Sequence, residues 1–169
     1  TPLYSSAASD VYKRQGQLAR RWFSSYGNNL LCSLYLEFTR DFNSPIYALN
    51  FATSLSVLKT VNFFSKERCF IKWPNDILSE NRKISGILIE NNFKSSHLSY
   101  SIIGTGINVN QTRFNNLKHA TSLKQISGKN IDLDEVLDQL LKNYATYFKR
   151  IHDIKTVSYT HLRAHETSL

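Results

Sequence analysis

Residues 69–90 read CFIKWPNDILSENRKISGILIE. Residues 69–73, CFIKW, have the length and apolar content of a short strand, which Pro74 and Asn75 interrupt. Asp76-Ile77-Leu78 resumes the extended chain, Glu80-Asn81-Arg82 reads as a tight hairpin turn, and Lys83 to Glu90 forms the next strand. Toward the N-terminus, residues 29–38, NLLCSLYLEF, form another strand-length apolar run, which Arg40, Asp41, Asn43, Ser44 and Pro45 break. From Ile46 to Phe64, Leu49, Ala52, Leu55, Leu58 and Val61 recur at intervals of three, one stripe of an amphipathic helix, with Ser44 and Pro45 suited to its start. Toward the C-terminus, a polar loop is expected at 91–97. A strand LSYSIIG follows and ends in the segment Gly104-Thr105-Gly106-Ile107-Asn108. A last helix is capped by Asp132, with Glu135 at the capping-box position and Val136, Leu137, Leu140, Leu141, Tyr144, Phe148 and Ile151 on its buried face. Hairpin-joined strands with a few packed helices predict an α+β fold with a mixed or antiparallel sheet.

The composition agrees with a packed domain. The 169 residues are 41% hydrophobic and 20% charged, which excludes collagen-like, low-complexity and strongly disordered classes. No apolar run approaches the roughly 18 residues of a membrane-spanning helix, and no basic-then-apolar leader opens the sequence. Cys32 and Cys69 lack CxxC spacing and sit among apolar neighbours, so they read as reduced core thiols of a cytoplasmic protein. The net charge of +8 favours anionic partners.

The two ends differ from this body. Residues 1–15, TPLYSSAASDVYKRQ, and 156–169, TVSYTHLRAHETSL, are rich in Ser and Thr and show no sustained period. They are expected to be non-native or disordered tails around a domain spanning 16–155.

Four clusters carry chemical groups. Gly16-Gln17-Leu18-Ala19-Arg20-Arg21-Trp22 combines a glycine that lets amides approach an anion, two cations for phosphate and an indole face. Ile71-Lys72-Trp73-Pro74-Asn75-Asp76 shows Lys, Asn and Asp at one strand end, which suits a nucleotide with Mg²⁺. Lys83-Ile84-Ser85-Gly86-Ile87-Leu88-Ile89-Glu90 opens a strand with a cation, and its Gly86 permits close ligand approach. Gly104 and Gly106 expose backbone groups at a strand end, and the amide of Asn108 suits a purine edge. Taken singly, each also reads as an ordinary basic loop, surface ion pair, solvated lysine or non-specific GxG.

In their order and spacing, RRWFSSYGNNL, KWPNDI, RKISGILIE and IGTGINVN resemble the catalytic domain of biotin–protein ligases over about residues 16–151. The resemblance implies a fold related to class II tRNA synthetases and lipoate ligases. It also implies formation of biotinyl-5′-AMP from biotin and ATP with Mg²⁺, then transfer of biotin to a lysine of a biotin carboxyl carrier protein. On the matching residues, it implies Lys83 between the biotin carboxylate and the α-phosphate, and Lys72 as a second cation. Asp76 becomes the Mg²⁺-linked carboxylate, and Gly86, Ile87 and Leu88 border the biotin rings. Asn75, Gly104, Gly106 and Asn108 fall on the nucleotide side, and Gly16, Gln17, Arg20 and Trp22 on a loop that closes over the adenylate. No nucleic acid or membrane partner is needed. The sequence departs from the family at Arg14-Gln15-Gly16-Gln17, where Gly-Arg-Gly is usual, and it has no Ser-Thr-Asn segment and no small C-terminal β domain. A fragment with little ligase activity is therefore expected. A lipoate–protein ligase and a non-catalytic nucleotide- or carrier-binding remnant are the competing readings.

Overall fold

The computed structural model describes residues 11–15, 21–39, 45–114, 117–149, 151 and 154–162. The apolar run NLLCSLYLEF forms strand β3, Asn29–Phe38. Its alternation is that of a two-sided strand. Leu30, Cys32, Leu34, Leu36 and Phe38 are buried in the core, while Ser33, Tyr35 and Glu37 on the other face are half-buried. Strands β4 (Cys69–Lys72), β5 (Asp76–Ser79), β6 (Arg82–Lys94) and β7 (His97–Asn108) follow. With β8 (Ile154–Leu162) they build a six-stranded sheet in the order β4-β5-β6-β7-β3-β8. Every pairing in it is antiparallel, so the α+β expectation holds. Helices α1 (Tyr47–Phe64) and α3 (Leu133–Phe148) pack on one another and on one face of this sheet. Asn143 Nδ2 of α3 donates to Thr60 Oγ1 of α1 at 2.9 Å, and the Tyr144 hydroxyl lies 2.6 Å from Thr105 Oγ1 of β7. Burial pushes the Tyr144 hydroxyl far above the ordinary phenol range, so it stays protonated and available for that bond.

Five local expectations change. First, β6 runs on to Lys94 where a loop was expected at 91–97. Its polar end is a two-stranded ribbon in water, held by Ser101 Oγ donating to Asn91 Oδ1 at 2.7 Å and turned at Ser95, φ 58°. Second, β7 ends in Gly104 to Asn108 as expected, but it stays paired through all five residues to Asn108, where the run LSYSIIG stops at Gly104. Third, Leu55 and Leu58 of α1 are only half-buried, while Thr53, Ser54, Ser56 and Thr60 are buried. A spacing of three falls behind the helical turn of 3.6 residues by about 60° at each step, so such a stripe leaves the core face. The hydroxyls of Ser56 and Thr60 are satisfied within the helix, by Ala52 O at 2.7 Å and Ser56 O at 2.8 Å. Ser44 lies outside the described residues. Fourth, a five-residue helix α2, Leu123–Ser127, too short to show a period, is capped by Ser122 and closed by Gly128 at φ 80°.

Fifth, parts of both supposed tails are strands. Val11–Gln15 is β1, antiparallel to β2 (Arg21–Ser25) in a separate two-stranded sheet, and β8 pairs along β3. Ladder hydrogen bonds depend on backbone groups that every non-proline residue carries, so an open edge can recruit a segment with no side-chain period. Residues 1–10 and 163–169 lie outside the described residues. At the other end of α3, the Asp132 carboxylate accepts from Asp134 N at 2.8 Å, as a cap should.

Cys32 and Cys69 are unbridged and buried, as expected. Burial pushes the Cys69 thiol up from its ordinary value, and the Glu67 carboxylate adds to the effect. A disulfide-exchange reagent at neutral pH should therefore label neither thiol in the folded chain and both after unfolding. Rapid labelling of the native chain would contradict this placement.

Candidate functional site

The register of the sheet assembles a row of residues on the face away from the helices. Lys72 of β4 is opposite Asp76 of β5, Asp76 is opposite Gly86 of β6, Gly86 is opposite Gly106 of β7, and Gly106 is opposite Leu31 of β3. One step along, Leu88 is opposite Gly104. Residues paired across strands share a face, so a cation, a carboxylate and three glycines share this surface.

Lys83 joins the row through an irregularity. Asp76 pairs with Gly86 and Ile77 with Ser85, but Leu78 pairs with Lys83, so one residue is extra on β6. The Lys83 side chain thereby reaches Asp76, with Nζ 2.6 Å from Oδ1. Its backbone is fixed from the other side: Lys83 N donates to His119 O at 2.7 Å, and Thr121 N donates to Lys83 O at 2.9 Å. The pair is about a third exposed at Lys83 and less at Asp76, so a ligand can reach it.

The glycines form a floor without side chains. Trp22 of β2 lies on it: a Cβ added at Gly106 would stand 2.8 Å from Trp22 Cε2, and one at Gly86 would stand 3.0 Å from Cζ3. Lys83 Nζ is 5.7 Å from the centre of the indole, within cation–π range. A buried polar cluster ties the end of β2 to the sheet. Ser25 N donates to Gln111 Oε1 at 3.0 Å, and Asn29 Nδ2 donates to Ser24 Oγ at 3.0 Å and to Gln111 Oε1 at 2.5 Å. Sequence reasoning passed over Ser24, Asn29, Gln111 and Thr121; single polar residues beside apolar runs carry no signal of their partners.

Asn108 is 4% exposed. Its Nδ2 donates to Thr121 O at 2.9 Å, and a carbonyl can only accept, which fixes the amide's orientation. Its Oδ1 is left buried with no hydrogen-bond partner among the described residues.

Two expected site residues are not on this face. Ile87 is 4% exposed in the core cluster under the sheet, because alternation sends it opposite to Gly86 and Leu88. Asn75 turns the same way: its Nδ2 donates to Ile87 O at 3.2 Å, and its carbonyl accepts from Ile87 N at 2.9 Å. It lines a cavity of about 140 Å³ with Ser54, Ile87 and Ile89, beneath the sheet. Asn75 therefore positions β6 and the turn after the cis Trp73–Pro74 peptide. Gly16, Gln17 and Arg20 lie outside the described residues. Among the described residues, no three His, Cys, Asp or Glu side chains gather into a metal-binding group, which leaves Asp76 as the lone carboxylate of the row.

The arrangement suits an anionic ligand with a flat ring: cations at one end, a bare floor and a buried acceptor. The chain is also similar to known proteins. The profile of the biotin/lipoate A/B protein ligase family matches residues 11–108. The bifunctional ligase/repressor BirA of Bacillus spizizenii is 33% identical over 153 residues, which make up 88% of this chain and 46% of that protein. BirA of Escherichia coli is 26% identical over 130 residues, 76% of this chain and 40% of that protein. The chain thus spans about half the length of the curated relatives it matches. Among solved structures, biotin protein ligase from Aquifex aeolicus in complex with biotin and ATP superposes with a TM-score of 0.69 at 33% identity, covering 80% of this chain and 56% of that one. The biotin protein ligase of Leishmania major with biotinyl-5-AMP, at 18% identity, shares the fold with a TM-score of 0.62 over 82% of this chain and 65% of that one.

Proposed function

The chain belongs to the biotin/lipoate A/B protein ligase family, and from that premise we propose that it carries the site of an ATP-dependent biotin–protein ligase. The observation that carries this reading is the Lys83–Asp76 pair, 2.6 Å apart, at the edge of the Gly86–Gly106 floor.

In the proposed reaction, a biotin carboxylate oxygen bonds to the α-phosphorus of ATP. The Pα–O bond to the β-phosphate breaks, and pyrophosphate leaves with the bonding electrons. The amine of a carrier-protein lysine then attacks the acyl carbon, loses a proton and expels AMP. The first step brings two anions together. Lys83 lowers their repulsion and stabilises the charge on the phosphoryl oxygens. Lys72, opposite Asp76, adds a second cation on the nucleotide side. Asp76 is the residue that would hold Mg²⁺. One carboxylate is enough where phosphate oxygens complete the shell, and Mg²⁺ would supply charge neutralisation of the leaving pyrophosphate. The glycine floor and Leu88 fit the biotin rings. Trp22, with Gly16, Gln17 and Arg20 preceding it in sequence, would shield the mixed anhydride from water. The basic charge of +8 suits both ATP and an acidic carrier domain.

The Asn108 Oδ1 acceptor suits the exocyclic amine of adenine. Asn108→Ala should raise the KM for ATP about ten-fold, the effect of losing one buried hydrogen bond of roughly 1–1.5 kcal/mol. GTP, with a carbonyl at that ring position, should be a poor substitute for ATP in the parent chain. The ATP dependence of pyrophosphate exchange measures both.

The function itself is tested by ATP–pyrophosphate exchange with Mg²⁺. Stimulation by biotin and not by lipoate, at a rate below that of a full-length relative, is the expected result. Stimulation by lipoate instead would move the reading to a lipoate ligase. ATP binding without exchange under either acid would make the chain a non-catalytic binder.

A further inference from the structure

The glycine floor already has an occupant. A methyl group at Gly106 would stand 2.8 Å from the indole of Trp22, too close to fit unless something shifts, and one at Gly86 would stand 3.0 Å from it, a tight contact. Beside the indole, Lys83 is engaged with Asp76 at 2.6 Å. Lys83 and the flat surface that would receive a substrate are thus both engaged by the chain's own groups. The indole does not rest there without cost. Its Nε1 is buried and has no hydrogen-bond partner among the described residues, and a donor withheld from water opposes the arrangement. What favours the position is ring contact with the bare floor and the Lys83 ammonium 5.7 Å from the ring centre.

We infer that Trp22 is a built-in competitor for the substrate floor: in the unliganded chain it plugs the Gly86–Gly106 surface, and a ligand with a flat ring and an anionic group binds only as the indole leaves. The ligand's ring replaces the indole on the floor, and its anion draws Lys83 from Asp76. The two exchanges are coupled because the ammonium contacts both the carboxylate and the ring. The choice of ligand rests on the ligase reading above, whereas the plug itself does not.

Intrinsic fluorescence separates the two. The chain has two tryptophans, and Trp73 is 54% exposed. Trp73→Phe leaves Trp22 as the reporter, and Trp22→Phe leaves Trp73 as the exposed reference. Without ligand, Trp22 should emit to the blue of Trp73 and be quenched severalfold less by acrylamide. Adding Gly106→Ala to the Trp73→Phe chain should expel the indole, giving a red shift and stronger quenching with an unchanged far-ultraviolet dichroism spectrum. If that variant does not fold, Gly86→Ala is the second variant: its methyl would stand 3.0 Å from the ring and 3.1 Å from the end of Lys83, and it should give a smaller red shift in the same direction. A Trp22 as open as Trp73 in the parent, or one left shielded by the added methyl, would overturn the inference. So would biotin or ATP·Mg²⁺ bound by equilibrium dialysis with Trp22 emission unchanged. No binding of either compound at any concentration would instead overturn the ligase reading, and the quenching comparison would still decide the plug.

Discussion

Lys83→Ala should lower any biotin-dependent pyrophosphate exchange the chain supports by about 10²–10³-fold, the usual cost of removing one preorganised donor from a charge-stabilising site. Its effect on stability should be far smaller. The lysine is about a third exposed, and ion pairs in contact with water contribute at most about 1 kcal/mol. This contrast distinguishes a chemical role from a structural one. A scaffold lysine would lose activity and melting temperature together, whereas a charge-stabilising lysine loses activity at a nearly constant melting temperature. Lys83→Arg should not restore the rate. A planar guanidinium spreads its charge over a rigid fork and does not reproduce a compact ammonium set between two anions. Exchange that persists in Lys83→Ala at the parent rate would remove Lys83 from the chemistry.

The sequence makes some of this site legible because strands are periodic. Once KISGILIE is read as a strand, Gly86 and Leu88 must share a face. The same rule, applied one residue further, would have sent Ile87 to the core, where it lies. The meeting of Lys83 with Asp76 was not legible from spacing alone, because it depends on one extra residue of β6, Ile84, between the partners of Ile77 and Leu78. Nor did composition reveal that β7 stays paired through Gly104 and Gly106 to Asn108. Glycine is a poor strand residue, and its placement there makes sense only once Trp22 is seen lying on Gly106. The strands at 11–15 and 154–162 escaped for a different reason: their pairing is a property of the edge that receives them.

The alternation in β7 also predicts that stability and binding can be damaged separately. Ile103 is fully buried, paired with Leu34 on β3 and Ile89 on β6, on the helix side of the sheet. Its neighbour Gly104 is on the floor side. Ile103→Ala removes most of a buried side chain from a core bounded by two hydrogen-bonded strands and by α1 and α3, which leaves the surroundings little freedom to collapse into the space. The expected loss is about 2–5 kcal/mol, a large share of the roughly 5–15 kcal/mol that holds a typical domain, and a melting temperature lower by roughly 5–15 °C. Ligand affinity per folded molecule, measured well below the transition, should stay near the parent value, because no atom on the floor side is removed. Gly106→Ala should do the reverse, disturbing the floor while largely sparing the core. If Ile103→Ala instead weakened ligand binding as much as stability, the two faces would not be independent. β7 would then be transmitting core strain to Gly104, Gly106 and Asn108, and the site would depend on packing beneath the sheet as well as on the residues that line it.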